Sequence, residues 1–333
     1  MRIFDLHCDT LDTLAHHDVD LFAQMPVAPG DDIARNQLAL SLDRMRATAD
    51  WCQCYAVWVP DALPAQVPSQ LQFYRDVRDF FRQQMEAHAD EVTQLRDARD
   101  VDAVLATGKV AALLTVEGAS PVGDDLGVVD EWADDGVKMV TLTWNGKNSI
   151  ASGHDTQDGF SSFGREAVRA LEDRKIVVDV SHLNDVGFWE LMDFARRPVA
   201  VSHSNSRALC RHLRNLTDDM FRAVRDGGGI VGLNYFRGFV SERCVSCGWE
   251  VPADGEVGPD ELFAHLDRWL DLDGADVIAL GSDFDGCECP AWLDSCEKLG
   301  GLERMAVERY GQELADKLFF GNARAFFVRN ETA

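Results

Sequence analysis

Eight short runs of apolar and β-branched residues recur along the chain: Ile3 to Cys8, Cys52 to Val59, Val110 to Val116, Val137 to Thr143, Ile176 to Val180, Val199 to Val201, Ile230 to Asn234 and Val277 to Leu280. Several are apolar at consecutive positions, the pattern of strands covered by helices on both faces. The segments between them repeat their apolar positions every three or four residues, as amphipathic helices do. Ser69 is placed to cap a helix carrying Phe73, Tyr74, Val77, Phe80 and Phe81 on one stripe, and Asn184 precedes Phe188, Leu191, Met192 and Phe194. Pro259 occupies a first-turn position before Leu262, Phe263, Leu266 and Trp269. Strand–helix alternation repeated in this way predicts a single α/β domain over residues 1–333, folded as a (β/α)8 TIM-type barrel rather than an open doubly wound sheet.

The polar residues that end these runs carry the chemistry. His7 and Asp9 close the first run and Glu117 the third. His182 follows the fifth, His203 the sixth and Asp283 the eighth. Active sites of such barrels are built at the C-terminal ends of the strands, so these six residues are expected at one rim. A single histidine at a strand end is more often a hydrogen-bonded structural residue, but the recurrence argues for a hydrolytic metal site.

Composition narrows the partners. The 333 residues are 46% apolar and 27% charged, ordinary for a globular protein, and 57 acids against 32 Lys plus Arg give a net charge of −25. Such a surface repels nucleic-acid backbones and anionic lipid heads, so neither nucleic acid nor a membrane is an expected partner. No apolar stretch is long enough to span a bilayer. Arg2-Ile3-Phe4-Asp5 enters a strand at once and lacks the order of a signal peptide, so a cytoplasmic location is expected. Nine cysteines are an odd number for a disulfide framework.

His7 and Asp9 lie two residues apart and share one face of an extended strand. They supply half of a zinc shell, and His182 and His203 supply a second pair of nitrogens. Glu117, with two oxygens, is suited to bridge two ions, and water held between them would ionise near neutral pH and act as nucleophile. Asp283, in Gly281-Ser282-Asp283-Phe284-Asp285-Gly286, is placed to take that proton and pass it to the leaving amine. Asp5 and Asp285 read as supporting acids, and His16, His17, His88 and His265 as surface residues. His154 and His212 fit either reading.

The segments Asp5-Leu6-His7-Cys8-Asp9, Val116-Glu117-Gly118, Ser181-His182, Ser202-His203-Ser204-Asn205, Arg214-Asn215 and Asp283-Phe284-Asp285-Gly286 together resemble the signature set of the renal (membrane) dipeptidase family, a branch of the amidohydrolase barrels. The resemblance runs from residue 3 to about residue 328. It implies a zinc-dependent dipeptidase with two Zn²⁺ per chain: His7 and Asp9 on one ion, His182 and His203 on the other, and Glu117 bridging both. Asp283 becomes the catalytic proton shuttle, in contact with substrate. Arg214 would bind the C-terminal carboxylate of a small dipeptide, a task suited to a planar guanidinium. The family's acceptance of a D-residue on the C-terminal side, and its tendency to form homodimers, carry over as expectations.

Two departures bear on the substrate. Where the animal members have a histidine, this chain has Trp144, whose indole N–H can donate but cannot act as a base. The family's tyrosine after the seventh strand is matched to Phe239. Cys244, Cys247, Cys287 and Cys289 follow the last two strands and could form a structural zinc site, against free thiols or a disulfide. Cys8 reads as packing. The competing functions are removal of an acyl group from an amino acid, opening of a lactone, or a catalytically silent binding barrel. A nucleobase deaminase is disfavoured by Asp9.

Overall fold

In the computed structural model, which describes residues 1–16, 25–64, 67–245 and 255–332, the apolar runs become parallel strands. They are β1 (Arg2–Asp5), β2 (Asp50–Trp58), β3 (Val92–Gln94), β4 (Val110–Glu117), β5 (Val137–Thr141), β6 (Val177–Asp179), β7 (Ala200–Ser204), β8 (Ile230–Leu233) and β9 (Ile278–Leu280). The order β2-β1-β9-β8-β7-β6-β5-β4 closes on itself because β2 also pairs with β4, from Cys52 opposite Ala111 to Trp58 opposite Glu117. The result is a closed parallel barrel of eight strands wrapped by helices, the expected (β/α)8 fold.

The ninth strand, β3, is the element the sequence pattern missed. It pairs with residues 110–112 of β4, along the edge that β5 takes over from Leu114 onward. Three residues are too short a run to show a period.

The helices after Ser69 and Asn184 begin where those caps predict, and Thr217 caps another. Ser69 accepts from Gln72 N–H at 3.1 Å, Asn184 from Gly187 N–H at 2.8 Å, and Thr217 from Met220 N–H at 3.2 Å. The helix Pro259–Leu270 corrects one expectation: His265 is not at the surface. It falls on the same stripe as Leu262, Leu266 and Trp269 and is fully buried. There it accepts from Ser206 N–H at 3.1 Å and donates to the Val240 carbonyl at 2.9 Å, joining the segments that follow β7 and β8. His16 is likewise buried, stacked on Phe73 at 4.3 Å. His88 is half-buried beside Asp32, and His17 lies outside the described residues.

Inside the barrel, Phe4, Cys52, Cys54, Ala111, Leu113 and Met139 form an apolar layer. The last helix, Asn322–Thr332, seals it from below with Phe326 and Phe327, the latter stacked on Phe4 at 5.4 Å. No helix among the described residues is long and apolar enough to cross a membrane.

Candidate metal centre and active site

Above the apolar layer the inward side chains turn polar, and the strands differ in how they deliver them. Glu117 is the last residue of β4. The pairing of β7 with β8 slips between Val201 and Ser204, the kind of irregularity that re-aims a side chain, and the His203 ring reaches Glu117. His7, Asp9, His182 and Asp283 come from the segments just beyond β1, β6 and β9. Asp9 N–H bonds the Phe284 carbonyl at 2.9 Å, and Asp283 N–H the His7 carbonyl at 3.2 Å, so the loops after β1 and β9 hold each other.

The five donors expected from the sequence converge. His7 Nε2 is 3.4 Å from Asp9 Oδ2 and 3.4 Å from Glu117 Oε2. On the other side of the same carboxylate, Glu117 Oε1 is 2.7 Å from His182 Nε2 and 3.5 Å from His203 Nε2, which are 3.1 Å apart. Asp283 Oδ1 completes the first group, 3.9 Å from His7 Nε2. Donors at ~2.0–2.1 Å from one tetrahedral ion stand about 3.3 Å from each other, so both clusters have the spacing of a metal shell, with one Glu117 oxygen turned to each.

Two further features fit cations. His7 Nε2 and Asp9 Oδ1 are buried without a hydrogen-bond partner, which protein interiors rarely tolerate. The acids are also crowded. Burial, with Asp9 and Glu117 nearby, pushes Asp283 up to about 7, and burial pushes Asp285 up to about 6. Burial likewise raises Asp9 and, more strongly, Asp12. Burial works against the charge on Glu117, but His7 and His182 outweigh it and hold this carboxyl well below its usual range. His7 is burdened by burial yet raised by Asp9 and Glu117, so a proton competes there with any cation.

The histidines are aimed from behind. Asp179 accepts from Ser202 Oγ at 2.6 Å, and Ser202 Oγ meets His203 Nδ1 at 2.7 Å. That chain puts the proton on Nδ1 and frees Nε2 for the cavity. Asn145 Oδ1 meets His182 Nδ1 at 2.9 Å to the same effect, and Asn234 donates to Asp283 Oδ2 at 3.0 Å. Asp5 accepts from Ser282 N–H and Oγ and from Gln53. Asp179, Asn145 and Asn234 went unread in the sequence; in the structure Asp179 ends β6 as Glu117 ends β4. Gly286 is needed for room: a Cβ there would lie 1.9 Å from Asp9 Oδ2 and 2.6 Å from Asp283 Oδ1.

Asp9, Glu117, His182 and His203, with Asp283, floor a cavity of about 560 Å³. Arg214 is on its wall and 4% exposed, so it is no surface arginine. Its guanidinium donates to Ser204 Oγ at 3.2 Å and to the His203 carbonyl at 3.4 Å, sits 5.2 Å over Phe239, and leaves Nε buried without a partner. Burial pulls it down to about 10, still charged at neutral pH. His154 and His212 line the same wall, and burial together with Arg214 lowers them to about 3 and about 4, so both are neutral. Trp144 lines the cavity and meets Trp58 edge-on at 5.0 Å; Phe236 joins Phe239 after β8. Cys8 is fully buried, as expected of a packing residue. Cys287 and Cys289 have their sulfurs 3.8 Å apart, longer than a disulfide, and Cys247 lies outside the described residues.

Comparison with known proteins agrees with this geometry. The family model "Membrane dipeptidase (Peptidase family M19)" matches residues 1–329. A Klebsiella pneumoniae protein from the pqqA 5′ region is 31% identical over 241 residues, 68% of this chain and 84% of its own length. Among solved structures, the metallo peptidase dipeptidase AC of family M19 superposes with a TM-score of 0.86 at 26% identity, covering 100% of this chain and 99% of its own. A metallo peptidase from Rhodobacter sphaeroides, liganded with a phosphinate mimic of the dipeptide L-Ala-D-Ala, gives 0.84 at 26% identity, with 99% of each chain covered. The chain thus belongs to the membrane dipeptidase family, peptidase family M19, whose metal-dependent members hydrolyse peptide bonds.

Proposed function

We propose that this chain is a zinc dipeptidase, one catalytic domain throughout, that cleaves small L-L and L-D dipeptides. His7 and Asp9 would hold one zinc ion, His182 and His203 the other, and Glu117 both. The observation that carries this reading is the two-sided placement of Glu117, one oxygen within 3.5 Å of both His182 and His203 and the other 3.4 Å from His7. When bound, such a pair supplies Lewis-acid polarisation of the scissile carbonyl and a water acidified toward neutral pH.

The chain's own residues do the rest. Arg214 grips the C-terminal carboxylate from the cavity wall, its Nε still without a partner. That contact fixes the register of the dipeptide over Glu117. Asp283, pushed up to about 7 by burial and its acidic neighbours, is poised to accept a proton and return it to the leaving nitrogen, and Asn234 keeps its carboxyl oriented. Trp144 offers an indole N–H and an apolar face where a histidine would offer a base, so it orients rather than titrates. The R. sphaeroides relative with its L-Ala-D-Ala mimic supports the D-residue at the C-terminal position.

The test is to load the protein with zinc and incubate it with a panel of L-L and L-D dipeptides, measuring released amino acids. Silence across the panel with zinc bound rejects the reading. Arg214→Ala separates it from lactone opening: dipeptide turnover should collapse, whereas substrates lacking a carboxylate should be cleaved as before.

A further inference from the structure

The cavity does not end at the donor cluster. Beyond Gly286 it adjoins a second hollow of about 330 Å³, and Met25, Asp285, Cys287 and Glu288 line both. At roughly 30 Å³ per water, the hollow has room for about ten waters, enough for one long side chain.

Its wall carries Arg237, Glu256 and Glu288. Arg237 is only 4% exposed, and its Nε has no hydrogen-bond partner. One oxygen of Glu256 and one of Glu288 are also buried without partners. Arg237 stands 3.7 Å from Glu256, beyond hydrogen-bond reach. One guanidinium therefore faces two carboxylates, each with an unpartnered oxygen, while Asp294 on the same hollow is already paired with Lys298 at 2.7 Å. Buried acceptors without donors cost free energy that a bound cation would recover. Burial has pushed Glu288 up to about 7 against the pull of Arg237.

The direction of the substrate selects which residue meets this wall. With its carboxylate on Arg214, after β7, and its nitrogen at Asp283, after β9, the C-terminal residue spans that arc of the rim. The acyl residue then continues past Asp283, toward Gly286 and Glu288. We propose that the hollow is the subsite for the N-terminal residue of the dipeptide and selects a basic side chain, lysine or arginine, with Glu288 and Glu256 as its acceptors. This rests on the dipeptidase reading above for its direction, though not for its charge.

Two assays test it. In the first, kcat/KM is measured for arginyl, lysyl, norleucyl and glutamyl dipeptides sharing one C-terminal residue. The wild type should favour the basic pair over norleucyl by about tenfold or more, and Glu288→Gln should erase that ratio, with Glu256→Gln as the second variant. A norleucyl substrate cleaved as well as the arginyl one overturns the proposal, as does a Glu288→Gln that slows every substrate equally, the signature of a merely structural role. In the second, calorimetry compares free L-arginine with L-norleucine on the zinc-loaded protein. Arginine should bind about tenfold tighter, an advantage lost in Glu288→Gln; equal binding overturns the proposal. If no dipeptide is cleaved yet arginine keeps its advantage, the dipeptidase reading fails while the cation subsite stands.

Discussion

Along β4 the inward side chains begin with Ala111 and Leu113, in the apolar layer, and end with Glu117, on the cavity floor. Along β2 they begin with Cys52 and Cys54 and end with Trp58 on the cavity wall. The lower end of the barrel is hydrocarbon, closed by Phe327 stacked on Phe4; the upper end packs three histidines and three carboxylates within a few ångströms. A few residues along one strand thus separate a region that supplies stability from one that spends it, since crowded buried acids oppose folding until something neutralises them. The two ends should therefore fail differently when cut.

The sharpest contrast is between Glu117 and Phe327. Glu117→Gln should lower kcat by about 10²–10³-fold, the size of losing a principal electrostatic stabiliser, while the chain stays folded by circular dichroism. Phe327→Ala should do the reverse, costing ~3–5 kcal/mol in denaturant unfolding while kcat per folded molecule holds. If Phe327→Ala instead lowers kcat with stability unchanged, the division between the ends is wrong.

Gly286→Ala comes next, because its new Cβ must displace Asp9 or Asp283. Activity should fall by about 10²-fold or more, since a misplacement near 1 Å is worth that much, and zinc affinity should fall with it. Ser202→Ala breaks the Asp179–Ser202–His203 chain without touching a donor atom. It should weaken zinc binding by about 10–100-fold, read by competition with a chelator, with a smaller effect on stability.

The smallest effect concerns pH in the metal-free protein. Asp283 has a raised folded value, about 7 against 3.8 for the ordinary group, so the folded state binds its proton more tightly than the unfolded state. Its contribution to stability is therefore lost as pH rises from about 4 to 7 and stays lost above. Asp283→Asn should accordingly gain on the wild type across that window, by at most about 1.4 kcal/mol per pH unit, then level off. A gain that grows as pH falls would have the sign reversed.

How far the sequence foretold these two ends also differs. The site was legible because its donors terminate apolar runs, and a parallel barrel sends all such termini to one rim. The residues behind the donors were not. Asn145 and Asn234 act through hydrogen bonds to partners 37 and 49 positions away, and no period in the chain marks that. Asp179 escaped the rule that found Glu117 because Val180 follows it, so it stands inside the apolar run and not at its end. His265 was misread because its ring is polar, although its position on the Leu262–Trp269 stripe already placed it inside. The strand β3 escaped because three residues cannot display alternation. At the lower end, the strand–helix alternation gave the barrel, but nothing local says that the last helix closes it.

The central claim is that one carboxylate, Glu117, serves two cations. Anomalous diffraction at the zinc edge, from crystals of zinc-loaded protein, tests it directly. Two peaks should flank Glu117, one among His7 and Asp9 and the other between His182 and His203. A single peak, or zinc found only at the cysteines after β9, would contradict it.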